Sequence, residues 1–162
     1  MTKPDHEFDW WYLSCRDRLV MQVAGVCGDR VEAMDFVQEA FVRAWSRWPR
    51  ISRYDDPEAW VRRVALNLAI GRWRKARRVV LQSEVVLPAS EISRAQDATI
   101  EALATLPVNE RRAVVLHYLA DLSVEEVARE MSAPVGTVKS WLSRGRVRLA
   151  SALSGNEEVS RD

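Results

Sequence analysis

The constraint that dominates this chain is the spacing of its apolar residues, which follows a helical period almost everywhere. Phe8, Trp11, Tyr12, Cys15, Leu19, Val23 and Val26 recur at intervals of three and four, the repeat of one helix face. No stretch alternates apolar and polar residues as a half-buried strand would. The chain therefore reads as all-α. Its 162 residues are enough for one ordinary domain or two small ones.

Punctuation divides the pattern. A first helix spans roughly 7–26 and ends at Gly28. Asp29 and Glu32 have capping-box spacing and open a second helix, with Met34, Val37, Phe41, Trp45 and Trp48 along one stripe as far as Pro49. Asp56 followed by Pro57 starts a third, because proline suits the first helical position. That helix carries Trp60, Val61, Val64, Leu68 and Trp73 on one side and a series of arginines on the others. Trp45, Trp48 and Trp73 are expected in the core, whereas Trp60 is open to either environment. Residues 79–94 lose the period and contain Pro88, so they read as a flexible linker. Helices return at about 95–107, 108–120, 123–131 and 134–152, with residues 154–162 as a disordered tail. Ala113, Leu116 and Leu119 should face inward in the 108–120 helix. Ser123 and Glu126 form a capping box, and Ser132-Ala133-Pro134 forms a turn. The result is two small helical domains, 1–78 and 95–153, joined by a linker.

The net charge of +1 conceals a strong segregation. Residues 43–78 hold eleven basic and three acidic residues, and residues 134–150 hold four basic and no acidic ones. The segments 1–42 and 79–133 are net acidic. Two basic blocks separated by an acidic stretch suit a polyanionic partner. The blander reading is two solvated helix faces.

The last two helices narrow the choice. Val127, Ala128 and Met131 turn inward on the first. Val135, Val138, Leu142, Gly145 and Leu149 turn inward on the second, with Gly136 allowing a close approach. Outside lie Thr137, Lys139, Ser140, Trp141, Ser143, Arg144, Arg146 and Arg148. Arginines interleaved with small hydroxyl residues, with no intervening acid, are the chemistry of a helix in a DNA major groove. This is a helix-turn-helix. An enzyme would need a constellation that the chain lacks. His6 and His117 belong to no motif, and there is no glycine-rich phosphate loop, metal-ligand cluster or nucleophile motif. Cys15 and Cys27 are too few for a disulfide framework or a four-cysteine zinc site and read as buried apolar cysteines. No signal peptide or membrane span is visible, so a cytoplasmic protein without a cofactor is expected.

Leu122-Ser123-Val124-Glu125-Glu126-Val127-Ala128 and Pro134-Val135-Gly136-Thr137-Val138-Lys139-Ser140, followed by Arg144, resemble region 4 of bacterial sigma-70-type factors. Asp35-Phe36-Val37-Gln38-Glu39-Ala40-Phe41-Val42-Arg43-Ala44-Trp45 and Ala59-Trp60-Val61-Arg62-Arg63-Val64-Ala65-Leu66-Asn67-Leu68-Ala69 resemble region 2. The short linker in place of further regions resembles the extracytoplasmic-function (ECF) class. The arginine-rich, lysine-poor composition fits an actinobacterial member.

The resemblance implies a transcription initiation factor that binds core RNA polymerase and directs it to promoter −35 and −10 elements. Asp35, Gln38 and Glu39 would meet the β′ clamp helices. Arg53, Tyr54, Trp60, Arg62, Arg63, Asn67, Arg72, Arg74 and Lys75 would bind and open the −10 element. Asn67 would lie near a captured base, Tyr54 and Trp60 would offer stacking surfaces, and the basic residues would hold phosphates. Thr137, Lys139, Ser140, Ser143, Arg144, Arg146 and Arg148 would read the −35 duplex. Trp141 stands where the family often has a basic or small residue. It is open to packing on a sugar, a thymine methyl or the preceding helix. The helix from Arg112 to Leu119 would meet the β flap through Leu116, Tyr118 and Leu119, and an anti-sigma protein is the implied regulator. The alternative is a stand-alone helix-turn-helix regulator, which has no need of the first domain. A sigma-like decoy is a third possibility.

Overall fold

The computed structural model describes residues 4–83 and 98–159, and every regular element among them is helical. The chain divides into two compact units, Met1–Ser93 and Arg94–Asp162.

The N-terminal unit contains α1 (Pro4–Cys27), α2 (Arg30–Ser46), the short α3 (Trp48–Ile51) and α4 (Pro57–Ser83). Gly28 ends α1 with φ +83°, a left-handed conformation that glycine adopts without steric cost. Its N–H donates to the Ala24 carbonyl at 2.8 Å. Asp29 then caps α2, its Oδ1 accepting from the N–H groups of Val31 (2.8 Å) and Glu32 (3.1 Å). Glu32 sends its carboxylate to Arg72 Nη2 on α4, 3.4 Å away. At the start of α4, Asp56 Oδ1 accepts from the Ala59 N–H at 3.0 Å. Arg18 ties α1 to the same turn, donating through Nε (2.8 Å) and Nη2 (2.7 Å) to the two oxygens of Glu58.

The core is built on small residues. On α2 the buried set is Ala33, Phe36, Val37, Ala40, Phe41 and Ala44. On α4 it includes Val61, Ala65, Leu66 and Ala69. The expected α2 stripe is therefore rotated. Met34 and Trp45 are each 46% exposed, while Trp48 is buried. The alanines define the buried face although each carries little apolar weight. Val64 and Leu68 are half-buried. An aromatic cluster closes one end, with Trp11 stacked on Trp48 at 4.7 Å and Phe8 edge-on to Phe41, Trp45 and Trp48. The side chain of Trp73 lies outside the described residues.

The C-terminal unit contains α5 (Ala98–Ala104), α6 (Val108–Val114), a π-helical turn (Val115–Leu119), α7 (Val124–Met131) and α8 (Val135–Val159). The π turn, closed by the Ala120 N–H on the Val115 carbonyl at 3.1 Å, shifts the helical phase by one residue. Leu119, expected inward, is 39% exposed, whereas Leu116 is fully buried. Arg111 is buried, and its Nη2 donates to the carbonyls of Leu106 (2.8 Å) and Ala104 (3.2 Å), closing the end of α5. The Ser123–Glu126 capping box is complete, with bonds of 2.7 and 3.1 Å. Ser132 ends α7 at φ +52°, and the Ala133 N–H reaches the Ala128 carbonyl at 3.0 Å in a Schellman closure.

Val138 and Leu142 seat α8 on the core, while Val135 is 36% exposed and Leu149 half-buried. Close approach belongs to Gly145, not Gly136. A Cβ at Gly145 would lie 2.7 Å from Val114 Cγ2, whereas one at Gly136 would meet nothing within 4 Å. Two expected ends also move. Helix α4 continues through 79–83, where the sequence holds no proline or glycine to stop it. Helix α8 continues through 154–159, Ser154 Oγ donating to the Ala150 carbonyl at 2.9 Å, and Gly155 stays out of the left-handed region. The rest of the expected linker, 84–94, and residues 160–162 of the expected tail lie outside the described residues.

Gly145→Ala should destabilise the C-terminal unit by up to about 2 kcal/mol, because the overpacking term of about 1–3 kcal/mol is offset only by a helix-propensity gain of about 1. Thermal unfolding of the purified chain would show the loss, and a higher midpoint would contradict the packing described.

Candidate nucleic-acid interface

The exposed face of α8 follows from what its buried side excludes. With Val138, Leu142 and Gly145 turned inward, Lys139, Ser140, Ser143, Arg144, Arg146 and Arg148 are exposed and Thr137 is half-buried. Lys139, Ser140, Ser143 and Arg144 line one open depression of about 390 Å³. Ser140 Oγ donates to the Gly136 carbonyl at 3.1 Å, leaving its lone pairs outward. The arginines have partners within the unit. Arg144 Nε lies 3.4 Å from Glu110 Oε1, and Arg148 Nη1 3.5 Å from Glu110 Oε2. Arg146 Nη1 donates to Tyr118 Oη at 3.0 Å. Trp141 is half-buried on the flank.

On α4, helical spacing sets Trp60, Arg63, Asn67, Gly71 and Arg74 along one ridge. Trp60 is half-buried, and Arg63, Asn67, Arg74 and Lys75 are exposed, as are Arg53 and Tyr54 on the preceding turn. Arg72 is exposed but faces α2, paired with Glu32 and 5.9 Å from the Phe36 ring centre. Arg62 departs from the expected phosphate-holding set. It is only 3% exposed, because its helical phase matches Ala65, Leu66 and Ala69 on the buried side. A guanidinium there cannot reach a phosphate without unseating the helix. The side chains of Arg77 and Arg78 lie outside the described residues.

On the outer face of α2, Asp35, Gln38 and Glu39 are all exposed. Tyr12 Oη donates to Gln38 Oε1 at 3.2 Å, and Glu39 pairs with Arg43 at 2.6 Å. Between the same residues lie Val31, Met34, Val42 and Trp45, exposed by 55, 46, 60 and 46%. They recur at helical spacing and form a second apolar stripe, opposite the alanine face. Helical spacing alone places Met34 and Trp45 on one stripe with Val37 and Phe41, and predicts Trp45 in the core. The available signal was that α2 carries more large apolar residues than one buried face can take. Two depressions, of about 260 and 310 Å³, flank Gln38 between α1 and α2.

Among the described residues no three His, Cys, Asp or Glu side chains are grouped to hold a metal ion. His117 Nδ1 lies 2.7 Å from the Leu122 carbonyl, a loop-closing contact. Burial, with a smaller contribution from Glu58, pushes the Cys15 thiol up to about 12. Burial pushes Cys27 up to about 11. Both are free thiols. No helix among the described residues is long and apolar enough to cross a membrane.

The sigma-70 region 2 family matches residues 11–79, and the sigma-70 region 4 family matches residues 96–149. The RNA polymerase sigma-E factor of Streptomyces avermitilis is 31% identical over 93% of this chain and 87% of its own length. The ECF RNA polymerase sigma factor SigW of Bacillus subtilis is 31% identical over 85% of this chain and 84% of its own. Among solved structures, the sigma factor RpoE in complex with the anti-sigma factor NepR from Bartonella quintana superposes with a TM-score of 0.75 at 26% identity, covering 91% of this chain and 97% of that one. CnrH in complex with the cytosolic domain of CnrY shares the fold, at TM-score 0.64 and 24% identity over 93% of this chain and 90% of that one.

The two adjacent arginines of α4 should behave oppositely. Arg62→Ala should lower the stability of the N-terminal unit by about 1–3 kcal/mol, whereas Arg63→Ala should change it by less than about 0.5. Chemical denaturation separates the two, and equal effects would contradict the buried placement of Arg62. Since both thiol pKa values are raised, the thiols stay protonated at pH 8. Neither should react with a thiolate-selective reagent at that pH until the chain is unfolded. Rapid labelling of the native chain would contradict this.

Proposed function

The chain belongs to the sigma-70 family of RNA polymerase sigma factors, in its ECF group, and directs transcription initiation; we propose that its two units divide that work. The N-terminal unit docks on core polymerase and opens the −10 element, and the C-terminal unit binds the −35 element as duplex. Residues 1–78 and 95–153 are the assigned functional segments. The factor works in the cytoplasm, on the nucleoid when bound to polymerase, as a regulatory DNA-binding subunit with no chemistry of its own.

The observation that carries this reading is the N-terminal unit. A stand-alone helix-turn-helix regulator has no use for a separate domain with a basic aromatic ridge on one helix and an acidic and apolar face on another. On α2, Asp35, Gln38 and Glu39 supply acceptors for a basic partner. Val31, Met34, Val42 and Trp45 between them supply apolar area, the composition of an interface that forms with a specific protein. We assign this face to the β′ clamp helices. Tyr118 and Leu119, both exposed at the π turn, are the apolar candidates for the β flap, while Leu116 belongs to the core.

Opening a duplex costs a few kcal/mol per unstacked step. Without ATP, that energy must come from capturing the exposed bases. The ridge of Trp60, Arg63, Asn67 and Arg74, with Arg53, Tyr54 and Lys75 alongside, offers a stacking surface, an amide that both donates and accepts, and charges for the backbone. Arg72 reaches the backbone only by leaving Glu32, and Arg62 contributes through the fold. On α8, Lys139, Ser140, Ser143 and Arg144 are the base- and phosphate-reading set, with Thr137, Arg146 and Arg148 holding the register. An anti-sigma protein would regulate the factor by covering its core-binding faces.

Arg144→Ala should weaken −35-dependent initiation by about 1–3 kcal/mol, roughly fivefold to 150-fold, when the full chain is reconstituted with core polymerase. Unchanged initiation from such promoters would remove Arg144 from the interface. Asn67→Ala should abolish strand opening, read as permanganate reactivity of −10 thymines, while core binding stays intact. Loss of core binding together with folding would make Asn67 structural.

A further inference from the structure

The α8 arginines meet a carboxylate beneath them. Glu110, on α6, has a side chain only 6% exposed, while Arg144 and Arg148 are 58% and 51% exposed. Each arginine lies at ion-pair distance from one oxygen: Arg144 Nε is 3.4 Å from Oε1 and Arg148 Nη1 is 3.5 Å from Oε2, which makes no hydrogen bond. The two arginines are one turn apart on α8, where like charges repel. No acid of residues 134–150 separates them. The carboxylate comes instead from the neighbouring helix, brought within reach because Gly145 has no Cβ to hold α8 off. A Cβ there would lie 3.5 Å from the Glu110 carbonyl oxygen and 2.7 Å from Val114 Cγ2.

We propose that Glu110 is the positioning residue of the −35 interface, holding Arg144 and Arg148 from beneath so that both guanidinium groups meet DNA already aimed. The asymmetry of burial carries the argument. The arginines could be solvated elsewhere, but the buried carboxylate could not. Removing its partners would leave an uncompensated buried charge, which is strongly unfavourable. The buried carboxylate therefore favours keeping both guanidinium groups near it when DNA arrives. Arg144 is engaged through its inner nitrogen, so its terminal nitrogens remain available for a base edge or phosphate. Fixing two long side chains beforehand removes an ordering cost that binding would otherwise bear. The carboxylate then contributes to selectivity more than to general attraction, since a bare negative charge near DNA would only repel.

This inference rests on the assignment of α8 to the −35 element. Its test is a competition between two duplexes, run with the full chain on core polymerase. One duplex is a promoter fragment selected by the unsubstituted factor from genomic DNA. The other is the same fragment with its −35 element scrambled. Glu110→Gln should lower the preference for the true element by about threefold to tenfold, the cost of reordering one long side chain. Glu110→Asp, with the charge on a shorter arm, should fall between. In an Arg144→Ala, Arg148→Ala background, Glu110→Gln should change the preference no further. An unchanged preference with a lowered melting temperature would make Glu110 merely structural and overturn the proposal. Tighter binding to both duplexes would make it an electrostatic brake and overturn it equally. If Arg144→Ala itself leaves the preference unchanged, the −35 assignment fails instead.

Discussion

Close approach between helices, made possible by small residues, is the constraint on which both units depend. In the N-terminal unit Ala33, Ala40 and Ala44 of α2 and Ala65 and Ala69 of α4 are buried. In the C-terminal unit Gly145 brings α8 so near α6 that even a methyl group would collide with Val114. Interiors packed this tightly deform little. A helix that must present a row of side chains to a partner gains from such a seat, because the geometry of its outer face is set by the rigidity of its inner one. The aromatic cluster around Trp48 fixes the end of α2 in the same way.

The second organising feature is where charge is placed inside. Arg111 is buried because it completes the C-terminal end of α5, replacing water at two carbonyls. Arg62 is buried by helical phase, beside the exposed Arg63. Glu110 is buried under an arginine stripe. Ionised groups tolerate such sites only when hydrogen-bonded or paired. These three residues therefore constrain the fold, while the exposed basic residues around them remain available to a polyanion. The net charge of +1 says little about this division, since what matters is which face each charge occupies.

Much of this was legible in the sequence, for identifiable reasons. Helix starts and stops depend on local chemistry, so Gly28, Asp29, Asp56 and the Ser123–Glu126 box marked them directly. The family resemblance was legible because its motifs are contiguous strings. What failed to show depended on tertiary context. Alanines carry too little apolar weight to reveal the buried face of α2, so the apolar spacing points Trp45 inward and gives no sign that Val42 is exposed. Leu119 was misplaced because a π turn shifts the helical phase without a sequence marker. Arg62 was counted with the arginine series because composition outweighed period. Glu110 left no trace at all, since its role exists only once α8 lies on α6. Gly136 drew attention by standing at a helix start, yet Gly145, in mid-helix, is the glycine that fills a packing need.

Joined to core polymerase, a sigma factor of this family directs where transcription begins. The most direct test is to add the purified chain to bacterial core RNA polymerase with fragmented DNA from the genome that encodes it, and to map RNA 5′ ends with and without it. Discrete start sites are expected that require the chain and share one −35 and one −10 sequence at fixed spacing. Duplex binding by the chain alone, with no core association and no dependent start sites, would contradict that role.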